Sequence, residues 1–296
     1  MKAIAWITGA SGLIGSHLLR LTPADWQGAG IIRSSQPPPA TNGKPRYLSL
    51  SLDDFPAVER SFRENPPALI IHCAALSRST ECQANPTLAR RMNVEATQHL
   101  AKLASEIPFY FFSTDLVFDG RQGNYLETDS VNPLGVYAET KVEAEQVVLR
   151  NPAHAVIRTS LNGGPSPSGR RGFDEELRNA WQEGQTTRLF VDEYRCPIPA
   201  EATARAVWEL ALRGAAGVYH IAGAERLSRW EIGQLVAARW PQSQPKMEPG
   251  SLKEYSGAPR PPDVSLNCAK TQALLTFRLP RLSDWFRDHP DPCPPV

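Results

Sequence analysis

Cysteine is scarce in this chain: Cys73, Cys82, Cys196, Cys268 and Cys293 are the five among 296 residues. Their number is odd, no two form a Cys-x-x-Cys pair, and none is spaced with histidine, which argues against both a disulfide framework and a zinc site. The six histidines contain no pair at ligand spacing, so no metal centre is expected. Excess charge is missing too. The 32 basic and 31 acidic residues leave a formal net charge of +1, which gives no electrostatic footprint for nucleic acid or an anionic membrane. No apolar run reaches the length of a membrane span. The opening Met1-Lys-Ala-Ile-Ala-Trp-Ile7 reads as a strand rather than a removable leader, so a cytoplasmic location is expected. No internal repeat is evident.

What is present suits a compact α/β protein. At 41% hydrophobic and 21% charged residues, the chain can bury a sizeable core as one large domain or two smaller ones. Apolar runs predict strands at 3–8, 28–33, 46–50, 68–73, 108–113 and 154–158, alternating with helices at 12–20, 53–64, 85–106 and 135–150. That alternation predicts a doubly wound parallel sheet covered on both faces. The helix from Asn85 carries Pro86 in its first turn, where a missing amide hydrogen costs nothing, and apolar Leu88, Met92, Val94 and Leu100. Cys73, in an apolar strand, reads as a packing residue rather than a nucleophile, and His72 and His220, at apolar strand-like runs, read as satisfied core or surface histidines rather than metal ligands. Pro37-Pro-Pro39 with Thr41-Asn-Gly43 marks an exposed connection, and the Pro-rich tail Pro290–Val296 reads as disordered.

After Ser160 the texture shifts. Gly163–Gly172 reads as a mobile loop, followed by helices at 173–183, 200–213 and 228–239 and a short strand at 217–221. The expected division is a dinucleotide-binding domain over 1–160 and a smaller carboxy-terminal substrate domain over 161–296, with room for a discontinuous boundary. The substrate cleft is expected between them, outside the carboxyl ends of the strands.

Two motifs carry chemistry. Gly9-Ala-Ser-Gly12-Leu-Ile-Gly15 joins the first strand to the first helix, the context in which a glycine turn lets a dinucleotide pyrophosphate approach backbone amides. Tyr137-Ala-Glu-Thr-Lys141 places a phenol and an ammonium on one helix face. There the ammonium can lower the phenol's pKa from about 10 toward neutrality, fitting it to exchange a proton with a carbonyl or carbinol oxygen. Thr114, ending the apolar run Phe109-Tyr-Phe-Phe-Ser113, is expected to orient the same oxygen. Together they describe hydride chemistry on a nicotinamide cofactor.

With the spacing Gly9-x-x-Gly12-x-x-Gly15 and Tyr137-x-x-x-Lys141, the chain resembles the extended short-chain dehydrogenase/reductase superfamily, whose cofactor domain is a Rossmann fold. Ser113-Thr-Asp-Leu-Val-Phe-Asp-Gly120, Glu127-Thr-Asp129, Asn132-Pro-Leu-Gly-Val-Tyr137, Ile157-Arg-Thr-Ser160 and Arg260-Pro-Pro-Asp-Val-Ser-Leu-Asn267 resemble its dTDP-4-dehydrorhamnose reductase branch over nearly the whole length. That branch also contains a non-catalytic relative, the regulatory subunit of methionine adenosyltransferase. The resemblance implies Thr114, Tyr137 and Lys141 as catalytic residues. It implies Gly9, Ser11, Gly12, Leu13, Ile14, Gly15, Ala74 and Ala75 at the cofactor, and Asn93 positioning a relay water against Lys141. Asp115, Val117 and Arg260 are implied at the substrate. A small-molecule partner, a nucleotide sugar, and a homodimer are the associations it brings with it.

The cofactor reading turns on a further absence. The second strand ends in Ile31-Ile-Arg33-Ser-Ser35, with no acid to bind the ribose hydroxyls of NADH, while Arg33 and Ser34 can bind a 2′-phosphate. NADPH is therefore expected, NADH remaining open because Arg33 can equally be a solvated loop residue. Asp53 or Asp54 either faces the adenine or caps the following helix. Arg170 and Arg171 either clamp a pyrophosphate or are solvated. Where the branch tends to read Arg-Thr-Ser-Trp-Val-Tyr-Gly, this chain has Arg158-Thr-Ser-Leu161-Asn-Gly-Gly164, so an aromatic wall of the sugar pocket is missing. The leading expectation is an NADPH-dependent reductase of a nucleotide-linked 4-keto-deoxysugar. The alternatives are a nucleotide-sugar epimerase or dehydratase, which needs a further base, a regulatory subunit without turnover, and a cofactor-linked sensor.

Overall fold

A computed structural model describes residues 2–33 and 46–289. Six strands, β1 (Ala3–Thr8), β2 (Trp26–Ile32), β3 (Arg46–Ser49), β4 (Leu69–His72), β5 (Phe109–Thr114) and β6 (Ala155–Thr159), join a seventh, Gly217–Ile221, in one sheet. Its order is Gly217–Ile221, β6, β5, β4, β1, β2, β3, every pair parallel. The strand order reverses between β1 and β4, and a crevice opens there at the strands' carboxyl ends. β5 is buried along its whole length, as its unbroken apolar run requires of a central parallel strand.

Successive side chains of a strand face opposite ways, so each strand feeds two cores. Trp6, Ile70, Phe109, Phe111 and Val156 face the helices α2 (Phe55–Glu64), α5 (Ala96–Leu103) and α6 (Val136–Val148). Ile7, Ile71, Tyr110, Phe112 and Ile157 face α1 (Leu13–Arg20) and α8 (Ala200–Leu212). Each fully buried large apolar side chain stabilises by about 1.5–3 kcal/mol. The helix expected over 85–106 forms in parts: Asn85 caps α4 (Pro86–Arg90) by accepting from Leu88 N at 3.0 Å, and a π-helical turn, Arg91–Glu95, joins it to α5. The short α3 (Ser79–Ala84) precedes it and lacked a periodic signal.

The boundary expected at residue 160 left room for discontinuity, and the main sheet continues past it. The chain returns to the nucleotide-type sheet after it: α8 packs on α1, with Trp208 Nε1 donating to Leu18 O at 2.9 Å, and Gly217–Ile221 pairs with β6. The smaller lobe is built from α7 (Phe173–Gln182), α9 (Arg229–Arg239), the helix Leu282–Asp288, and the parallel pair Thr187–Phe190 and Met247–Gly250. Phe173, Leu177, Trp181, Ile232, Val236 and Trp240 form its core. Ser34, the connection at 37–43 and the tail from Pro290 lie outside the described residues.

His72 is a buried polar group whose two ring nitrogens are both satisfied inside the sheet. Thr97 Oγ1 donates to Asn93 O at 2.7 Å, so it accepts from His72 Nε2–H at 3.0 Å. His72 Nδ1 then accepts from Thr8 Oγ1 at 2.7 Å, whose lone pairs receive Cys73 N and Ala74 N, both at 3.1 Å. A second proton on the ring would face the Thr8 proton. Burial holds His72 down to about 3, His220 to about 3 and His17 to about 4. These folded values lie below the ordinary 6.5, so the stability from keeping the rings neutral is fully present above about pH 6.5 and is lost as pH falls. Between about pH 6.5 and 5 the unfolding free energy should fall by about 2 kcal/mol per histidine. Urea titrations at the two pH values check this, and an unchanged free energy refutes it.

Candidate active site

The crevice at the switch point widens into a cleft of about 890 Å³. Its floor begins at the glycine turn. Gly9 has φ +67°, and a Cβ there would sit 2.9 Å from Ala74 N, so the turn lies directly against the segment after β4. A Cβ on Gly15 would lie 2.3 Å from Gly9 O, which is how closely α1 follows the turn. Gly12 caps α1 with no side chain on its first-turn amides, leaving them for an anion. Gly9, Ser11, Gly12, Leu13, Ile14 and Gly15 all line the cleft, as do Ala74 and Ala75, held over Gly9 by the Thr8 hydroxyl.

Arg33 lines the cleft at the end of β2, exposed. Asp53 does not line it. Its carboxylate accepts from Ser51 Oγ at 2.5 Å and pairs with Arg91 at 3.3 Å, while Asp54 is the residue that caps α2, accepting from Ala57 N at 3.1 Å. Leu50 and Leu52 line that end instead. Asn93 is buried in the π-helical turn. Its Oδ1 accepts from Leu76 N at 2.8 Å, and its Nδ2 donates to Leu76 O at 3.1 Å and Thr140 Oγ1 at 3.0 Å. It therefore clamps the segment after β4 to α6.

Thr114, Tyr137 and Lys141 meet at the middle of the cleft. Thr114 ends β5, its Oγ1 donating to Asp115 Oδ1 at 3.2 Å and accepting from Leu116 N at 3.2 Å. Lys141 is 3% exposed, with Nζ 4.0 Å from the centroid of the Phe111 ring. The expected lowering of the phenol is corrected: burial first, then the Asp115 carboxylate, push the Tyr137 phenol well above its ordinary range. Burial instead pushes Lys141 down to about 7. In the protein alone, the lysine is the group that titrates near neutrality.

Two residues expected at the substrate, Asp115 and Val117, do not line the cleft. Asp115 is 0% exposed, its carboxylate taken by Arg195 Nε at 2.7 Å, Arg195 Nη2 and Ser160 Oγ at 2.6 Å, so it supports the cleft wall from behind. Val117 packs among Phe118, Tyr125 and Val264 in the core. Arg170 also faces away: it is exposed, 3.6 Å from Glu183, whereas Arg171 lines the cleft. Arg260 does not line it either. It pairs with Glu193 at 2.8 and 3.0 Å and lies over the Phe190 ring.

The loop read as mobile is tied down. Glu175 accepts from Ser166 N and Oγ at 2.8 and 2.6 Å, Arg171 N at 2.8 Å and Gly172 N at 3.0 Å, and His17 Nε2 on α1 meets Pro165 O at 3.0 Å. Arg78, Glu81, Leu161, Phe173 and Glu176 complete the cleft and were missed. Only Leu161 had a signal, at the point of departure from the branch pattern. A phenylalanine wall stands nearby all the same, Phe173 packing on Gly163 where a Cβ would lie 2.5 Å from its ring.

A glycine turn at the switch point, with Tyr137 and Lys141 on the helix that flanks it, defines an extended short-chain dehydrogenase/reductase. More narrowly, the chain belongs to the RmlD substrate binding domain family, whose pattern matches residues 3–288. It is 31% identical over 238 residues to the probable low-salt glycan biosynthesis reductase Agl14 of Haloferax volcanii, covering 78% of each chain. It is 29% identical over 282 residues to methionine adenosyltransferase 2 subunit beta of Xenopus laevis, covering 91% of this chain and 82% of that one. A hypothetical dTDP-4-dehydrorhamnose reductase from Sulfolobus tokodaii superposes with TM-score 0.82 at 29% identity, covering 95% of this chain and 97% of that one. The Bacillus anthracis dTDP-4-dehydrorhamnose reductase, solved in complex with NADP, shares the fold with TM-score 0.84 at 20% identity, over 97% and 98% of the chains.

The two glycines at the ends of the turn should respond differently. Gly15→Ala places a methyl against backbone and should destabilise by about 1–3 kcal/mol. Gly12→Ala meets Gly9 O only at 3.1 Å and should leave the melting temperature nearly unchanged. Thermal unfolding of both variants tests the contrast, which equal losses would remove.

Proposed function

We propose that the protein is an NADPH-dependent carbonyl reductase acting on a nucleotide-linked 4-keto-deoxysugar. The observation that carries this reading is the convergence of Thr114, Tyr137 and Lys141 on the cleft that begins at the uncapped glycine turn. The residues fit a dinucleotide. The free amides of α1 suit the pyrophosphate, Ala74 and Ala75 pass close beneath, and Arg33 suits a 2′-phosphate where NADH would call for an acid. When bound, NADPH supplies the hydride for the carbonyl carbon.

The remaining work falls to this chain's side chains. Tyr137 donates its phenolic proton to the carbonyl oxygen, with the Thr114 hydroxyl at the same cleft to orient that oxygen. In the protein alone burial makes the phenol a weak acid, so the positive charge of Lys141, four residues on along α6, assists the transfer. Lys141 then gives a proton to the phenolate and is itself reprotonated from solvent through the cleft. Phe173 and Leu161 give the apolar wall for the sugar ring. A second reading, a cofactor-binding subunit without turnover, draws support from the similarity to methionine adenosyltransferase 2 subunit beta. The intact Thr114, Tyr137 and Lys141 set weighs against it.

Purified protein with NADPH should oxidise the cofactor when given nucleotide-linked 4-keto sugars. Tyr137→Phe should cut that turnover by at least about a hundredfold with NADPH binding preserved. Silence of the wild type across such substrates and simpler ketones, alongside tight NADPH binding, would favour the subunit reading. Fluorescence titration should find NADPH bound more tightly than NADH. Arg33→Ala should remove at least about tenfold of NADPH affinity and leave NADH little altered, since a hydrogen bond between charged groups contributes about 1.5–3 kcal/mol. Equal wild-type affinities would defeat the NADPH preference.

A further inference from the structure

Tyr137, Lys141 and Glu145 stand four apart on α6 and so follow one another along one face. Lys141, over Phe111, has no hydrogen-bond partner among the described residues. One turn on, the buried Glu145 carboxylate takes Arg158 Nε at 3.0 and 3.2 Å and Nη2 at 2.7 Å. Arg158 comes from β6, lies 5.1 Å from the Phe118 ring centroid, and leaves Nη1 without a partner. Two cations, each over an aromatic face, thus flank one carboxylate in the interior.

An ion pair this deeply buried adds little stability over apolar residues of the same volume, because both charges lose their water. Its place beside a buried lysine gives it another use. We propose that Glu145 is a positioning residue for Lys141, holding the ammonium in its charged form across one helix turn, and that Arg158 orients the carboxylate and limits its pull. Glu145 is the foremost influence opposing the effect of burial on Lys141. The other groups facing Lys141 carry no charge: His72 from β4 and Cys73 just after it, Cys82 from α3, and Tyr137. Burial holds His72 at about 3 and keeps both thiols and the phenol protonated. Without Glu145 no negative charge among them would balance the ammonium.

The inference rests on Lys141 as a working residue of the proposed reductase, yet its test does not need turnover. In the full-length protein, labelled with ¹³C at lysine Cε, the Lys141 resonance is followed by NMR against pH. Glu145→Gln should lower its midpoint by at least about one pH unit. Arg158→Met, which frees the carboxylate, should raise it. The double variant Glu145→Gln/Arg158→Met should lie between Glu145→Gln and the wild type, and it serves should a single variant fail to fold. A merely structural pair would not move the midpoint in opposite directions. A midpoint that stays at the wild-type value in Glu145→Gln, or in the double variant should the single one not fold, overturns the inference, as do shifts of the same sign in both single variants. Wild-type silence toward carbonyl substrates would sink the reductase reading and leave these titrations standing.

Discussion

The site depends on one buried ion pair. Asp115 follows Thr114 directly, and the Arg195 fork, with Ser160 Oγ, takes both its oxygens. Arg195 lies in the short strand Tyr194–Arg195, which pairs with Leu227–Ser228 ahead of α9. The pair therefore fixes the end of β5 to the smaller lobe and sets the direction of the Thr114 hydroxyl. Removing one partner would leave an uncompensated charge in the interior, at a cost of about 3–5 kcal/mol.

A second polar node does the same for the other wall. The Thr8 hydroxyl joins the end of β1 to Cys73, Ala74 and His72, and His72 passes the constraint through Thr97 to Asn93. Asn93 carries it through Leu76 and Thr140 to α6, one residue before Lys141. The glycine turn and the helix of Tyr137 are thus held in register by a continuous chain of satisfied hydrogen bonds, where each unpaired member would cost more than a surface one.

Lys141 shows the opposite choice, a cation buried where an apolar residue of the same volume would be more stable. Its companions Glu145 and Arg158 are buried as well. The loop 163–172 follows a similar logic: its glycines suggest freedom, but Glu175 gathers four donors from it and removes that freedom.

The sequence by itself determined the central sheet strands, the glycine turn, and the Thr114, Tyr137 and Lys141 set. These are local signals: apolar runs, a turn that only glycine fits, and a four-residue helical spacing. It also determined which end of β2 lacks an acid. Tertiary structure alone decided that Gly217–Ile221 closes the sheet beside β6, because a parallel partner leaves no mark within the strand it joins. It alone sent Asp115 and Val117 inward and Arg171 rather than Arg170 to the cleft, since the side a side chain takes in irregular backbone depends on what packs against it. It decided, too, that Tyr137 is held protonated and Lys141 brought near neutrality, because burial acts on each charge through every neighbour, and spacing along one helix records only one of them.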